Sequence, residues 1–436
     1  MAYDIVLGRN SSDKEKFGDK GLVYIGKGYV KMGQYTSLSN KIFLDVARTH
    51  VILIAGKRGS GKSYTLGAIA EELSSLPAET SKNIASLIFD TMGIFWTMKY
   101  KNEKDADLLR EWGLETKSLP VKVFVPFGKS AVYEQKKIPF DATFALAASE
   151  LAAEDWITLF NLEFTSMPAV LIERTITDLK EKAEQFNLSD VQQSIEKDDR
   201  ATPENKEVVL SLFSAAETWG IFSKSREGTK ISDLITGGTT TVLDTSVYSS
   251  TSAFNIRALV ISLISKKIFE SRMDSRKKEE IESIQYGQDY MSYKSNKQDP
   301  LVWIFIDEAH EFLPKEGKTP ATDALIQLLR EGRQPGISLV LATQQPGQIH
   351  KDVMTQSDIV ISHRVTSKLD VDALNEIMQT YLLNNIQRQM DDLPSLKGSA
   401  ILLDDNSERI YPIRVRPRFT WHGGEAPTAV KTDIKL

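Results

Sequence analysis

A glycine-rich turn at Gly56–Ser63 provides the first residues that can do chemistry. Gly56 and Gly61 bracket four residues, and Lys62 and Ser63 follow directly, which is the spacing of a phosphate-binding P-loop. The glycines let the backbone curl so that successive N–H groups point at phosphate oxygens, the lysine reaches the β- and γ-phosphates, and the serine ligates Mg²⁺. The spacing therefore predicts a nucleotide site contacted by Gly56, Lys57, Arg58, Gly59, Ser60, Gly61, Lys62, Ser63 and Tyr64.

The residues on either side of this turn supply the elements that a P-loop requires. Val51–Ala55 is a run of five apolar residues, three of them β-branched, which predicts a buried strand before the turn. The residues from Tyr64 to Leu76 predict a helix whose positive N-terminal end faces the same phosphates. A chance glycine turn is the alternative, but the strand and the helix together favour nucleotide binding.

Two adjacent carboxylates, Asp307 and Glu308, follow a second apolar run. Leu301–Ile306 is six apolar residues long and predicts a strand buried on both faces. Such a strand delivers the residues after it to the C-terminal edge of an open α/β sheet, where ligands bind. There, Asp307 is predicted to hold Mg²⁺ through water, and Glu308 to polarise the attacking water. The alternative is an acidic N-cap for the next helix.

Polar amides follow the next predicted strand, Ser338–Ala342. An amide beside the carboxylate-bearing strand can sense the γ-phosphate or orient the attacking water. We predict this role for Gln344, with Gln345 as the second choice. The alternative is that both glutamines belong to a turn before Pro346.

Two arginines, Arg330 and Arg333, lie at a glycine-rich turn between those strands. An arginine that completes a neighbouring subunit's site can raise the rate of phosphoryl transfer by several orders of magnitude. We predict this role for one of the two and favour Arg333, with Arg364 as a further possibility. The alternative is a helix C-terminus, whose negative end attracts arginine side chains.

Strand and helix patterns alternate over residues 47–140 and again over residues 236–405. This alternation predicts an α/β core with a mostly parallel sheet and helices on both faces. Between these parts, apolar residues recur at helical spacing without an intervening strand, so residues 141–235 are predicted to form a helical insertion. Its aromatic residues, among them Trp156 and Phe164, fit a bundle core or, alternatively, a partner surface.

The remaining parts of the chain are less regular. Residues 1–46 are predicted to be a short β-rich segment with strands at Leu22–Ile25, Tyr29–Met32 and Ile42–Val46. Residues 274–299 are polar and mixed in charge, which predicts a loop. Residues 406–436 are predicted to be a C-terminal brace or tail.

The composition narrows the class of protein. With 41% hydrophobic and 26% charged residues, it is that of an ordinary soluble globular protein. The absence of cysteine excludes disulfides, zinc–thiolate sites and thiol nucleophiles. The sequence shows no signal peptide and no apolar run long enough to span a bilayer, so a cytoplasmic protein without membrane contact is predicted. The net charge of −5 is compatible with DNA binding, because a ring can confine its basic groups to a channel.

Taken in order, these motifs resemble those of the HerA branch of the HerA–FtsK superfamily of P-loop ATPases. The resemblance extends from residue 27 to residue 418. Its most specific elements are Arg330–Arg333 followed by Thr343–Pro346, which lies in the matching stretch Ala342–Pro346. The other matching residues are Gly56–Ser63, Phe89–Gly93, Gly237–Asp244, Ile306–Glu311 and Leu393–Gly398.

The resemblance implies a RecA-like core with a helical insertion, a hexameric ring, ATP and Mg²⁺ as ligands, and ATP-driven translocation on double-stranded DNA. A NurA-like nuclease is an implied partner, because archaeal members resect DNA ends with NurA, and bacterial relatives include ring ATPases of defence systems. The family's N-terminal β-barrel is expected to be truncated or absent, since 55 residues precede Gly56. Arg409–Arg418 resembles the C-terminal segment that braces a neighbouring subunit in this family; an edge strand is the alternative.

The sequence thus predicts an ATP-hydrolysing ring motor that translocates or processes double-stranded DNA, as a HerA-like helicase or translocase does. The main alternative is a nucleotide-gated ring scaffold, or the ATPase subunit of a defence or nuclease complex. The residues Asp307–His310 (Asp-Glu-Ala-His) also match the motif of that composition in superfamily-2 helicases, but the sequence shows no second RecA-like domain. A coupling ATPase at a membrane is disfavoured because no transmembrane segment is predicted.

Overall fold

The computed structural model describes residues 4–32, 35–248, 254–288, 299–378 and 386–424. The strands of this part of the chain form one continuous sheet. In chain order they are β1 (Ile5–Leu7), β2 (Leu22–Met32), β3 (Tyr35–Asp45), β4 (Val51–Ala55), β5 (Ile84–Asp90), β6 (Val121–Pro126), β7 (Ala142–Phe144), β8 (Thr240–Asp244), β9 (Leu301–Ile306), β10 (Ile337–Thr343), β11 (Ile359–His363), β12 (Ser399–Asp404) and β13 (Arg409–Val415).

Helices flank this sheet and fill its crossover connections. The α-helices are α1 (Ser11–Phe17), α2 (Lys62–Ser74), α3 (Ala78–Ser81), α4 (Ala106–Glu111), α5 (Ser130–Gln135), α6 (Ala153–Leu159), α7 (Met167–Lys182), α8 (Leu188–Glu196), α9 (Pro203–Thr218), α10 (Ile231–Leu234), α11 (Phe254–Gln288), α12 (Thr322–Glu331), α13 (Lys351–Gln356), α14 (Lys368–Met378) and α15 (Ile386–Asp391). None of the helices in the described ranges is long and apolar enough to cross a membrane.

The strand order places the two halves of the predicted site side by side. It runs β1-β3-β2-β13-β12-β11-β4-β10-β9-β5-β8-β6-β7, and the stretch from β11 to β7 is entirely parallel. Strand β4, which precedes the P-loop, is therefore separated from β9, which precedes Asp307, by β10 alone. All three strands end at the same edge, and the predicted mostly parallel α/β sheet is confirmed.

Alternate residues of the central strands enter two hydrophobic cores, one on each face of the sheet. Leu53 of β4 packs in the core that contains residues of α11 and α12. Its neighbours Ile52 and Ile54 pack in the opposite core, together with Leu66 of α2. Helices therefore cover both faces, which is why β4 and β9 read as continuous apolar runs instead of alternating ones.

The N-terminal segment forms two long strands, and the prediction of two short strands at Leu22–Ile25 and Tyr29–Met32 is wrong. Strand β2 runs through both, with shifts of register against β3 at Tyr24/Gly26 and Lys27/Tyr29. A Cβ atom on Gly26 would lie 2.3 Å from the carbonyl oxygen of Arg414 in β13. This glycine thus permits a close approach inside the sheet and does not end the strand.

The aromatic residues of the predicted insertion form a bundle core. Helices α6 to α10 occupy this region, and its first residues form β7. Trp156 is fully buried, and the centroid of its indole ring lies 4.9 Å from that of Phe213 and 5.0 Å from that of Phe222. Phe164, in contrast, lies beyond the end of α6 and is exposed. We retain residues 141–235 as the proposed limits of the insertion.

The prediction of a loop at residues 274–299 is wrong for the part that the structure describes. Helix α11 continues to Gln288, and residues 289–298 lie outside the described ranges. The side chain of Arg276 lies 3.3 Å from Glu279 and 3.2 Å from Glu280, one helical turn away. Residues 274–286 include neither glycine nor proline. Such i,i+3 and i,i+4 pairs stabilise a polar helix that has no apolar face to reveal it in the sequence.

The C-terminal segment folds back onto the P-loop helix. Strand β13 lies inside the sheet, between β12 and β2, so the edge-strand alternative is wrong. Arg416 and Arg418, which follow it, are fully buried against α2. Their guanidinium groups each donate a 3.0 Å hydrogen bond to the carboxylate of Glu71, which also accepts the backbone N–H groups of Phe419 and Thr420. Although burial favours the protonated acid, Arg418 and Arg416 hold the pKa of Glu71 below its ordinary value.

We predict that Glu71→Gln destabilises the fold by about 3 kcal/mol, because it removes a carboxylate that two buried guanidinium groups share. Arg416 keeps Glu72, 2.8 Å from its Nε, as a counter-charge. Urea unfolding at neutral pH measures the free energy of unfolding. The matched control is Glu79→Gln in α3, whose side chain is exposed, and we expect this variant to unfold like the parent protein. Equal midpoints for both variants would show that the contacts of Glu71 with Arg416 and Arg418, which we call the Glu71 clamp, contribute nothing to stability.

Candidate active site

The P-loop leaves β4 at Gly56 and enters α2 at Lys62, two residues earlier than the helix predicted from the sequence. Gly61 has a φ of +111°, in the left-handed region that favours glycine. A Cβ atom on Gly56 would lie 2.4 Å from Oγ of Ser60 and 2.7 Å from Cβ of His363. Both glycines are therefore required by the backbone path of the loop.

The structure brings together the residues predicted to hold the metal and the phosphates. Ser63 Oγ donates a 2.5 Å hydrogen bond to Oδ2 of Asp307, although the two residues are far apart in the chain. Lys62 is buried, and its Nζ donates to the carbonyl oxygen of Lys57 at 3.3 Å. Burial lowers the pKa of Lys62, while Glu308 and Asp307 act in the opposite direction. Burial and the neighbouring Glu308 raise the pKa of Asp307.

The donors at this point suit Mg²⁺. A serine hydroxyl and a single carboxylate are hard oxygen ligands, and Mg²⁺ takes few protein ligands because it keeps water and phosphate oxygens in its shell. Among the described residues there is no cluster of three or more histidine and acidic side chains that would hold a metal by itself. Ser63 and Asp307 therefore fit a metal that arrives with a nucleotide.

The side chain of Glu308 does not cap the next helix. Its backbone φ is +52°, and it precedes the short helix Ala309–Glu311 without a capping hydrogen bond from its side chain. Its Oε1 accepts a hydrogen bond from Nε2 of Gln344. Its Oε2 is buried and has no hydrogen-bond partner within the described ranges; Nδ1 of His310 lies 3.6 Å from it. One oxygen is thus oriented by protein, and the other is left for water.

The two glutamines differ in position. Gln344 is half-buried and contacts Glu308, whereas Gln345 is exposed and binds Oγ1 of Thr343 through its backbone N–H at 3.0 Å. The structure thus brings the first-choice amide to the carboxylate and leaves the second-choice side chain in solvent.

Arg330 and Arg333 lie away from the P-loop of their own chain. Nη2 of Arg333 is 3.6 Å from Oδ2 of Asp358, and Oδ1 of the same carboxylate accepts the backbone N–H of Val51 at 2.8 Å. Val51 begins β4 and the P-loop follows its end, so the length of this strand, about 16 Å, lies between them. Nε of Arg330 donates to the buried carboxylate of Asp352 at 2.6 Å. Arg333 has the more exposed side chain, 78% against 56% for Arg330, and is therefore better able to reach another subunit.

The turn that carries Arg333 is held by a buried arginine that the sequence does not single out. Arg272 of α11 donates from Nε to the carbonyl oxygen of Pro335 and from Nη1 to that of Asp299, both at 2.8 Å. Arg272 is 1% exposed. The exposed guanidinium of Arg333 is thus presented from a fixed turn.

Arg364 and His363 support the P-loop from within the same chain. Arg364 donates from Nη2 to the carbonyl oxygen of Leu393 at 2.8 Å, and its own carbonyl accepts the N–H of Lys57 at 2.9 Å. His363 is fully buried; its Nδ1 is 3.0 Å from the carbonyl oxygen of Ser399, and its Nε2 is 2.8 Å from Oγ1 of Thr65. Burial lowers the pKa of His363 to about 4. The neutral ring therefore donates from Nδ1 and accepts the hydroxyl of Thr65. No spacing in the sequence signals this role.

A second carboxyl pair lies beside the site. Asp90 and Asp244 end neighbouring strands in register, on the side of β5 away from β9. Asp90 accepts the backbone N–H groups of Gly93 and Phe95 at 2.7 Å, and Asp244 accepts the hydroxyl of Tyr133 at 3.0 Å. Burial and the neighbouring Asp244 raise the pKa of Asp90 to about 7, and burial raises that of Asp244. In the sequence, Asp90 and Asp244 lie in two of the stretches that resemble the HerA family, Phe89–Gly93 and Gly237–Asp244, but nothing there predicts that they pair.

This pair predicts a fall in stability with rising pH. A carboxyl whose pKa is raised in the folded state stabilises the fold below its unfolded pKa and loses that contribution as the pH rises to its folded pKa of about 7. Asp244→Asn removes the neighbouring charge, so the loss should shrink by about 1.4 kcal/mol for each unit by which the pKa of Asp90 falls. Urea unfolding from pH 5 to pH 8 measures the free energy of unfolding and so this loss of stability. The exposed control Asp107→Asn should follow the parent protein; an unchanged slope for Asp244→Asn would contradict the coupling.

Comparison with known proteins identifies the family. The family model described as the central domain of helicase HerA matches residues 30–268, more than half of the chain. The chain belongs to this family. A second model, that of the zonular occludens toxin, matches residues 251–373.

Curated relatives match over shorter stretches. The DNA double-strand break repair helicase HerA of Pyrococcus furiosus is 26% identical over 148 residues, which are 32% of this chain and 24% of that protein. A probable helicase of Methanocaldococcus jannaschii is 32% identical over 161 residues, which are 35% of this chain and 28% of that protein. Each match thus spans less than a third of the relative's own length.

A solved structure shares the fold over nearly its whole length. VirB4 of Thermoanaerobacter pseudethanolicus superposes with a TM-score of 0.58 at 10% sequence identity, and the match covers 92% of this chain and 97% of that one. Together with the strand order, this likeness confirms the predicted RecA-like P-loop fold.

Proposed function

We propose that this member of the HerA family is an ATP-hydrolysing ring motor that translocates or processes double-stranded DNA. The observation that carries the proposal is the meeting of Ser63, Asp307, Glu308 and Gln344 at one sheet edge beside the P-loop. Asp307 and Glu308 follow β9, Gln344 follows β10, and Ser63 lies in the helix that follows β4. A nucleotide site alone requires the loop and Lys62; a carboxylate held by an amide beside it suits hydrolysis.

In this proposal the residues of the site have separate roles in binding and hydrolysis. The N–H groups of Gly59 and of Gly61 to Tyr64, together with the ammonium of Lys62, bind the phosphates; the N–H of Ser60 donates within the loop to the carbonyl oxygen of Lys57. Ser63 and Asp307 hold Mg²⁺, which when bound neutralises the phosphate charge. Glu308 accepts the proton of the attacking water at Oε2, while Gln344 keeps Oε1 in place. Because Lys62 and Asp307 are buried, their charges act in a medium of low dielectric, where they stabilise transferring charge most strongly.

The remaining part of the site comes, in our proposal, from a neighbouring copy. Arg333 is exposed on a fixed turn and cannot serve its own P-loop. A homo-oligomer would therefore use this arginine in trans, and we propose six subunits, as in the hexameric ring that the resemblance implies. Double-stranded DNA is the proposed substrate, supported by the name of the Pyrococcus relative as a DNA double-strand break repair helicase. A NurA-like nuclease or another effector subunit is the proposed partner, and the cytoplasm the proposed location.

An ATPase assay with and without long duplex DNA tests the proposal. We expect turnover that DNA stimulates, DNA retention in a binding assay, and loss of both turnover and nucleotide binding in Lys62→Ala. Turnover that is indifferent to DNA, with no DNA retained, would contradict the translocase and favour a nucleotide-gated scaffold or an effector-complex subunit.

The mass of the protein in solution tests the ring separately. We expect the oligomer in the presence of a non-hydrolysable ATP analogue. A monomer under all conditions, with or without the analogue and DNA, would contradict the ring.

A further inference from the structure

The surroundings of the P-loop leave one direction for the nucleoside half of a bound nucleotide. The first turn of α2 faces Asp307 through Ser63, which is where the β- and γ-phosphates and their metal belong. On the side of β11, Thr65 is bonded to His363. The position of a Cβ on Gly61 is 3.7 Å from the imidazole of His363 and 4.0 Å from the backbone nitrogen of Gly398. Two sides of the turn are therefore filled, and Leu66 packs in the core against the sheet. Tyr64 lies between Ser63 and Thr65 in α2, so its side chain leaves the helix on the outward side, away from the sheet.

The outward side is lined by aromatic rings that the fold holds in place. The hydroxyl of Tyr64 accepts the backbone N–H of Arg418 at 2.6 Å. The imidazole of His422 packs against the Tyr64 ring, with centroids 5.3 Å apart and planes at 77°. Both residues are half-buried, so each keeps part of its ring surface in contact with solvent.

The Glu71 clamp fixes this arrangement. Arg418 is bonded to Glu71, and its guanidinium lies over Gly67, where a Cβ would come within 2.5 Å of Nη1. Thr420, two residues before His422, is also bonded to Glu71. The C-terminal segment is thereby held along α2 up to the turn that binds phosphate, and Tyr64 pays little conformational entropy on binding a ligand.

We propose that Tyr64 and His422 form the nucleoside subsite of this chain, in which the base of ATP lies against their rings. The proposal rests on the function proposed above, because the phosphates must occupy the P-loop for the base to reach this surface. Stacking of a base on an aromatic side chain contributes about 1–3 kcal/mol and every base has a face for it. The subsite therefore supplies affinity for nucleosides, and the P-loop supplies affinity for phosphates.

Two ligands separate the subsite from the phosphate site. Mg·ATP and Mg·tripolyphosphate share the phosphate chain, and only ATP has a base and a ribose. We expect Tyr64→Ala and His422→Ala each to weaken ATP binding about tenfold or more, with less than a threefold change for tripolyphosphate. Isothermal titration of the full chain measures both. Tyr64→Phe, which keeps the ring, should bind ATP within threefold of the parent protein.

Trp421 provides the matched control. It is an aromatic residue of the same segment, 42% exposed, and it lies between Thr420 and His422, whose side chains turn towards α2. Trp421→Ala should leave the affinities for both ligands unchanged. Thermal unfolding of each variant identifies any that fails to fold, and His422→Ala, which removes no buried hydrogen bond to Glu71, keeps the test open if Tyr64→Ala does fail.

Each outcome of the titrations either supports or overturns the nucleoside subsite. Loss of ATP affinity with tripolyphosphate affinity retained supports the subsite. Equal losses for both ligands would overturn it, because the rings would then act only on the shape of the P-loop, and so would a loss of ATP affinity in Trp421→Ala alone. If the parent protein binds neither ligand while Lys62→Ala is indistinguishable from it, the proposed function itself fails, and the subsite with it.

Discussion

Glu308→Gln should bind ATP like the parent protein and hydrolyse it at least about a hundredfold more slowly, the lower end of the range for loss of a general base. Glutamine preserves the volume of the side chain and the contact with Gln344, but it cannot take a proton. Oε2 of Glu308 is the oxygen that we expect to accept the proton, since it is buried and has no hydrogen-bond partner in the described part of the chain. Single-turnover hydrolysis measures the rate, and titration with ATP measures the affinity.

Glu316→Gln is the control for this experiment. Glu316 is a few residues further along and is exposed, so its substitution should leave turnover unchanged. Normal turnover in Glu308→Gln would mean that another group accepts the proton. Loss of ATP binding in the same variant would instead mean that Glu308 acts on the shape of the P-loop.

Arg333→Ala should lose turnover by about a thousandfold or more, as expected when an arginine that completes a neighbour's site is removed. Mixing it with Lys62→Ala, itself inactive, should restore part of the activity. In a mixed ring, an intact P-loop on one subunit can meet an intact arginine on the next. Neither variant can form such a site alone, because every site in its ring lacks either Lys62 or Arg333.

Two further arginines sharpen this test. Arg110→Ala removes a guanidinium of similar exposure, 74% against 78%, which pairs with the neighbouring Asp107, and it should have full activity. Arg330→Ala removes the arginine that is bonded to buried Asp352, and its effect should be the smaller of the two at this turn. Full activity in Arg333→Ala, or rescue by Lys62→Ala of Arg330→Ala but not of Arg333→Ala, would assign the role elsewhere.

The ends of the central strands could be predicted from local pattern because their cause is local. A strand buried on both faces must be apolar throughout, and a backbone that curls around phosphate needs glycine at fixed places. Val51–Ala55 and Leu301–Ile306 therefore identified β4 and β9 to the residue, and the residues after them identified the two halves of the site. The same logic failed for β2, where a glycine sits inside a strand, and for α11, whose polar second half has no apolar period.

The sequence by itself determined that this chain carries a P-loop, a carboxylate pair and an amide at the ends of buried strands. Only the tertiary structure decided how they meet, because the bond between Ser63 and Asp307 depends on the order of strands and not on spacing. It also decided that Arg333 lies at the end of the strands opposite the P-loop. Likewise, it decided that Arg416 and Arg418 form ion pairs with Glu71 of the same chain. Contacts between residues hundreds of positions apart are set by the packing of the whole sheet, which no local pattern encodes.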